Sequence, residues 1–368
     1  MIPDMAVANQ FAADLIAQGA AGLAAITTRK LVDERPEMQS RYGPATVMEW
    51  RASVASRLGY LAAALATGNP EVFAIQVAWA RTAHEARGGQ DAADDLIESM
   101  RILQQVLREE LPDAAGELAA NYVQTSLDRA RTRSQLSESG LRSPHRQLVA
   151  EYLLALLEGD RRRASDRILA ARDGRGTVSP LTVHEIYRDV LIPAQVELGR
   201  MWHLNEIGVA EEHFATATTQ LVMSQLYRYL PVAPSTGKVL VAGSVDGNAH
   251  DIGIRMIGDL LESAGWRTVH LGASVPAADF AQAVEHFGGD LAAVSAGLGS
   301  QLPVVGATIA KIREADRVIK VMVGGQAFAA GNDSGSTPLW RTVGADGYAA
   351  NLDEAVELAP RLVGLSNR

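Results

Sequence analysis

The chain has 368 residues, 47% of them hydrophobic and 21% charged, with a formal net charge of −9 and no cysteine. That composition fits two or three packed domains rather than a disordered chain. The acidic balance argues against broad binding to a phosphate backbone, and the missing thiols exclude disulfides, thiolate metal sites, a cysteine nucleophile and a thioether-linked chromophore.

Residues 1–137 read as an all-α domain. Ala, Leu, Glu and Arg dominate, and apolar residues recur at spacings of three and four over Val47–Leu65, Val72–Ala86 and Leu96–Leu111. Turn signals at Tyr42-Gly43-Pro44, Gly68-Asn69-Pro70, Gly88-Gly89 and Leu111-Pro112-Asp113 divide the region into five or six helices. No apolar run of about 18 residues stands out as a membrane span. The N-terminus, with Asp4 and no basic region before an apolar run, does not read as a signal peptide. A cytoplasmic protein with no nucleic-acid or membrane partner is expected.

The polar stretch 134–143 reads as a linker. Residues 144–231 then suit a four-helix bundle: Gln147–Leu157, Arg161–Arg172, Pro180–Met201 and Ala210–Leu230. Thr177-Val178-Ser179-Pro180 offers a helix start, with Ser179 as cap and Pro180 in the first turn. Pro231 and Pro234 end the block.

The pattern changes across residues 237–368. Short apolar runs at Val239–Ala242, Arg267–Gly272, Leu291–Ser295, Lys320–Gly325 and Ala345–Tyr348 alternate with helical stretches. This predicts a doubly wound, parallel α/β sheet of the Rossmann-like kind, with ligands at the strand ends.

The loop after the first strand reads Ser244-Val245-Asp246-Gly247-Asn248-Ala249-His250-Asp251-Ile252-Gly253. It lacks the G-x-G-x-x-G spacing of a dinucleotide loop. It carries a histidine instead, and a neutral imidazole is a good transition-metal ligand. Ser295 ends one strand and Gly324-Gly325 another, leaving small residues beside a slot for a long ligand tail.

These residues resemble the cobalamin-binding domains of the methionine-synthase type, whose signature is Asp/Glu-x-His-x-x-Gly, then Ser-x-Leu, then Gly-Gly. The resemblance implies that His250 replaces the cofactor's own base as the ligand to cobalt. It also implies a site built from Asn248, His250, Asp251, Ile252, Gly253, Ser295, Leu298, Gly324 and Gly325. Two departures stand out: Asn248 occupies the acid's place, and Ser295-Ala296-Gly297-Leu298 is one residue longer than Ser-x-Leu. A neutral Asn248 still accepts a hydrogen bond but pushes less electron density into the ring, unless Asp246 or Asp251 substitutes.

Upstream, Trp202-His203 is followed at a fixed interval by Glu212-His213. This resembles light-sensing cobalamin proteins of the CarH type. There the bundle covers the upper face of adenosylcobalamin, and the neighbour of the capping Trp ligates cobalt after light removes the adenosyl group. The resemblance implies that Trp202, Glu212 and His213 surround that group and that His203 is the second cobalt ligand. A light-dependent homo-oligomer with an unidentified downstream protein partner would follow.

The N-terminal domain lacks the basic recognition helix that the light-sensing family usually carries. Its layout resembles the photocobilins, which join a cobalamin sensor to a helical, globin-like domain that holds biliverdin. On that reading Arg81 and Arg87, with Arg101 and Arg108 on the next helix, pair with propionates, and His84, on the segment that also carries Trp79, meets pyrrole groups. The same residues also fit a solvated face on a domain that binds a partner or dimerises. Two other functions stay open: a corrinoid methyl carrier serving methyltransferases, and a cobalamin-gated interaction protein. No acid/base or nucleophile constellation stands outside the cofactor site, so the chain itself is not expected to be an enzyme.

Overall fold

The structure, a computed structural model, describes residues 3–130, 143–176, 179–315, 318–329 and 337–365. Nearly all of the expected linker, and Thr177 and Val178, lie outside the described residues.

In chain order the helices are α1 (Pro3–Glu34), α2 (Glu37–Tyr42), α3 (Thr46–Ala66), α4 (Glu71–Glu110), α5 (Asp113–Ala130), α6 (Arg146–Leu157), α7 (Arg161–Arg172), α8 (Val183–Ile186), α9 (Ile192–His203) and α10 (Val209–Leu226). The sheet region follows: β1 (Val239–Val245), α11 (Ile252–Ser263), β2 (Arg267–Val275), α12 (Ala277–Phe287), β3 (Leu291–Ser295), α13 (Leu302–Ala315), β4 (Lys320–Gly324), α14 (Leu339–Thr342), β5 (Gly347–Ala349) and α15 (Leu352–Leu362).

These elements form two compact units. One contains Met1–Ser134 together with Ala296–Ala307 and Gly325–Gly344. Its core is a helical packing of Ile16, Leu31, Trp50, Leu58, Leu61, Phe73, Leu96 and Leu103, all buried. The expected break at Gly88-Gly89 is present as a kink: Gly89 takes φ 71°, a left-handed angle that glycine adopts without a Cβ clash. Helix α1 corrects one sequence expectation. Its stretch Met5–Glu34 is long and apolar enough to cross a membrane by length and composition. Scattered Asn, Gln, Asp and Thr residues hide this from a search for unbroken apolar runs. In the structure its Ala12, Ile16, Leu23, Ala24 and Leu31 are buried in the helical core.

The other unit holds Gln135–Ser295, Thr308–Gly324 and Ala345–Arg368. Helices α6 to α10 build the bundle, and its core extends to Met256 and Leu260 of α11 and Leu352 of α15. The expected helix start at Ser179-Pro180 is not used. Thr182 caps instead: its side chain accepts from Glu185 N, while the Glu185 carboxylate accepts from Thr182 N at 2.8 Å. This reciprocal pair satisfies two orphan groups at once, which Ser179 has no matching acid to do. Between α8 and α9 lies one π-helical stretch, Tyr187–Leu191. Such insertions are uncommon and concentrate at functional sites.

The sheet is fully parallel, in the order β2-β1-β3-β4-β5. Strands β1, β3 and β4 are short, mostly apolar and mostly buried, whereas the edge strand β2 has no buried residue. The order reverses between β1 and β3, the switch point at which open sheets of this kind bind ligands. Register places Ser244 opposite Ser295, Ser295 opposite Gly324, and Gly324 opposite Ala349. A row of small residues therefore crosses the carboxyl edge of four strands.

Candidate functional site

His250 lies in the loop between β1 and α11, and its side chain is exposed. The loop is held from several sides. Ser244 Oγ donates to the His250 carbonyl at 2.8 Å. Ser274, at the end of β2, takes a left-handed φ of 52° that non-glycine residues rarely adopt. From there its N–H donates to the Asn248 carbonyl at 3.0 Å, its hydroxyl donates to Asp246 at 3.1 Å, and its Oγ accepts from Gly247 N at 2.9 Å.

Asn248 is buried at 1% exposure. Its Oδ1 lies 3.2 Å from His250 Nδ1 and accepts from His250 N at 3.2 Å. Its Nδ2 donates to the Ser295 carbonyl at 3.3 Å. The two ends of the amide thus face opposite kinds of group, and this fixes its orientation. Oδ1 can only accept, so Nδ1 carries the ring proton and Nε2 keeps its lone pair. That is the tautomer a metal ligand needs. Asn248 fills the acid's usual role in orienting the ring, and it adds a link to β3 that a carboxylate could not make.

Neither nearby acid substitutes for it. Asp246 is engaged by Ser274 and Gly247. Asp251 accepts from Gln220 Nε2 of α10 at 3.0 Å and pairs with His270 of β2 at 3.5 Å. The His270 ring, opposed by burial, holds the Asp251 carboxyl below the usual carboxylate range. Ile252, half-buried, packs on the bundle core. A Cβ at Gly253 would meet nothing within 4 Å, so the first turn of α11 is open beside His250.

Gly324 is close-packed, a Cβ there lying 3.2 Å from the Ala349 carbonyl. Gly325 is more constrained: φ is 99°, and a Cβ would fall 2.2 Å from the Ala296 carbonyl. Leu298 is 44% exposed, and its N–H donates to Gln301 Oε1 at 3.0 Å. Gln301 also receives Gly297 N at 3.0 Å, so the longer Ser-to-Leu spacing is a defined turn.

On the bundle, Trp202 is half-buried against the core, and His203, the last residue of α9, is 2% exposed. Glu212 accepts from Thr216 Oγ1 at 2.8 Å and lies 3.6 Å from the exposed His213. The helical unit treats its expected residues differently. Arg81 lies 4.0 Å from Glu85, Arg87 donates to the Ala83 carbonyl at 3.1 Å, and Arg101 and Arg108 pair with Glu98 and Glu117. His84 is turned toward Arg57, 3.2 Å away. Sequence reasoning passed over Ser244, Gln220, Ser274, His270 and Arg57. Only Ser244, at a strand end beside the loop, carried a usable signal.

The donor set fits a corrinoid. One imidazole offers an outward nitrogen, an acceptor fixes its tautomer, and a small-residue edge adjoins it. Among the described residues no cluster of three or more metal-ligating side chains competes for a metal.

Comparison with known proteins agrees. Two family models, each described as a B12 binding domain, match residues 148–227 and 238–357. The dimethylamine corrinoid protein of Methanosarcina barkeri is 31% identical over 199 residues, covering 50% of this chain and 89% of that protein. Dimethylamine corrinoid protein 1 of Methanosarcina acetivorans is 28% identical over 204 residues, covering 54% of this chain and 91% of its own. The solved structure of the Methanosarcina barkeri monomethylamine corrinoid protein superposes with a TM-score of 0.50 at 19% identity, over 59% of this chain and 98% of that one. At that identity the last match speaks for the fold alone.

Proposed function

The chain belongs to the B12-binding corrinoid proteins, and on that premise we propose that it is a light sensor in which the cobalamin is the adenosyl form and His250 Nε2 is the lower ligand to cobalt. Bound adenosylcobalamin would supply a cobalt–carbon bond that visible light cleaves. The observation that carries the reading is His203. A second imidazole is stored in the bundle core at the end of α9, beside a half-buried Trp202. To act as an upper ligand it must leave that core, so the end of α9 is the moving part. The π-helical stretch just before α9 gives that helix a place to change register. Trp202, with Glu212 and His213, would cover the upper ligand, and the loss of that ligand would bias a two-state element toward a new assembly.

The N-terminal helices fall outside both matched segments and are the proposed seat of a second chromophore, biliverdin. A lasting spectral change together with altered size on chromatography, after loading adenosylcobalamin in the dark and illuminating, is the expected result. A spectrum that reverts, or a size that never changes, sinks the sensor reading. His203→Ala should alter the final illuminated spectrum.

A second reading is favoured by the relatives' names: a corrinoid methyl carrier serving methyltransferases. It predicts methyl loading by a partner methyltransferase, no light-driven change in assembly, and indifference to His203→Ala.

A further inference from the structure

Arg57 lies within α3, and 3% of it reaches solvent. Its Nη1 donates to Ser53 Oγ at 2.6 Å and its Nη2 to His84 Nε2 at 3.2 Å. Among the described residues its Nε has no hydrogen-bond partner. A guanidinium can only donate, so His84 Nε2 accepts and the ring is neutral. The imidazole therefore supplies no counter-charge. It leans on buried Trp50, with ring centroids 5.4 Å apart. Burial, together with Arg57 and Arg87, pushes the pKa of His84 down to about 4.

Burial alone acts on Arg57, lowering its pKa to about 10, with no carboxylate opposing it. Asp95, in the same helical unit, shows the contrast. It is fully buried, yet it meets Arg35 at 3.2 Å, Tyr42 at 2.8 Å, and Arg41 as well. That charge is neutralised twice over, whereas among the described residues no carboxylate neutralises Arg57. An arginine cannot shed its proton to escape, so the uncompensated guanidinium is a standing cost of the ligand-free fold.

We propose that Arg57 is the receptor for a carboxylate on a small-molecule ligand of the helical unit. The unpaired Nε and its neighbouring nitrogen present the fork that a carboxylate takes with both oxygens. Trp50 and the neutral His84 form an aromatic flank beside it. Arg57 itself carries one charge, with Arg87 a second cation acting on His84, so one negative charge balances Arg57. That matches a carboxylate better than a phosphate carrying nearly two. The site belongs to the helical unit, and it rests on the bilin reading only for its first probe. It also departs from the sequence expectation, which assigned the carboxylates to Arg81, Arg87, Arg101 and Arg108.

The test uses the full chain and three arms. Without ligand, Arg57→Met is expected to melt at the same temperature as the parent or a few degrees higher, because a buried unpaired charge is removed. With biliverdin, Arg57→Met should bind at least about tenfold more weakly and Arg57→Lys by an intermediate factor, whereas biliverdin dimethyl ester should bind parent and variant alike. An Arg57→Met chain that melts several degrees lower or fails to fold overturns the proposal, as does free biliverdin bound equally by parent and variant. If biliverdin binds neither, the bilin reading fails, and propionate decides. The parent should then melt higher in sodium propionate than in sodium chloride of equal ionic strength, with the gap absent in Arg57→Met. No such gap in the parent overturns the carboxylate site itself.

Discussion

Each of the two units carries a histidine whose ring is tied to a neighbour, and the two ties have opposite consequences. In the sheet unit, Asn248 takes the Nδ1 proton of an exposed His250 and leaves Nε2 facing outward. In the helical unit, Arg57 takes Nε2 of a largely buried His84, and Trp50 flanks the ring. The residue type is the same. The nitrogen that the protein occupies decides whether the ring is offered to a ligand or spent within the fold. An acceptor partner makes a metal ligand, and a cationic partner makes a neutral spacer.

The sharpest way to break this contrast is to remove the outward nitrogen. His250→Ala should weaken cobalamin binding by about a hundredfold, or restore the cofactor's own base with a spectrum that differs from the parent's. Unaltered affinity and spectrum would end the assignment of His250. Next in size is the strand edge. Gly325→Ala places a Cβ against the Ala296 carbonyl at a left-handed φ, and about 3 kcal/mol of stability should be lost. A melting temperature within a degree of the parent would contradict the geometry.

Asn248→Ala should cost about tenfold in affinity through the loss of tautomer control. Asn248→Asp is the more instructive change. It strengthens the imidazole as a donor but sets an oxygen against the Ser295 carbonyl, where Nδ2 now donates. The cobalt spectrum should move while the apo protein melts lower. A spectrum identical to the parent's would show that the partner's charge does not reach the metal.

A further effect, confined to acid pH, concerns His84. Its folded pKa of about 4 lies below the ordinary 6.5. The unfolded chain therefore binds more protons between those values, and stability present above pH 6.5 is lost as pH falls toward 4. At most about 2 kcal/mol should disappear between pH 7 and 5, and His84→Gln should flatten that part of the melting profile. Equal slopes for the two chains would remove His84 as the titrating group.

The candidate site was legible in the sequence because its pattern is local. A loop of ten residues carries His250, Asn248 and Gly253, and strand patterning places Ser295 and Gly324 on the same edge. That the sheet is parallel followed from the alternation of strands and helices. What stayed hidden depends on partners distant in the chain. Arg57 sits among alanines and leucines of an amphipathic helix and reads like any surface arginine until its burial is known. Gln220 and His270 matter only because both reach Asp251. Thr182 was overlooked as a cap because its worth lies in Glu185 three residues on. The two acids beside His250 were open substitutes for Asn248 until the fold committed each elsewhere.

One of those commitments has a mechanical side. Asp251 follows His250 directly and is gripped by α10 through Gln220 and by β2 through His270. The loop of His250, a bundle helix and an outer strand thus share a single fastening, one residue from the proposed bond to cobalt. A tug on the imidazole is felt at Asp251 without any intervening lever. The chain has joined the loop proposed to hold the metal to the parts that would have to answer it.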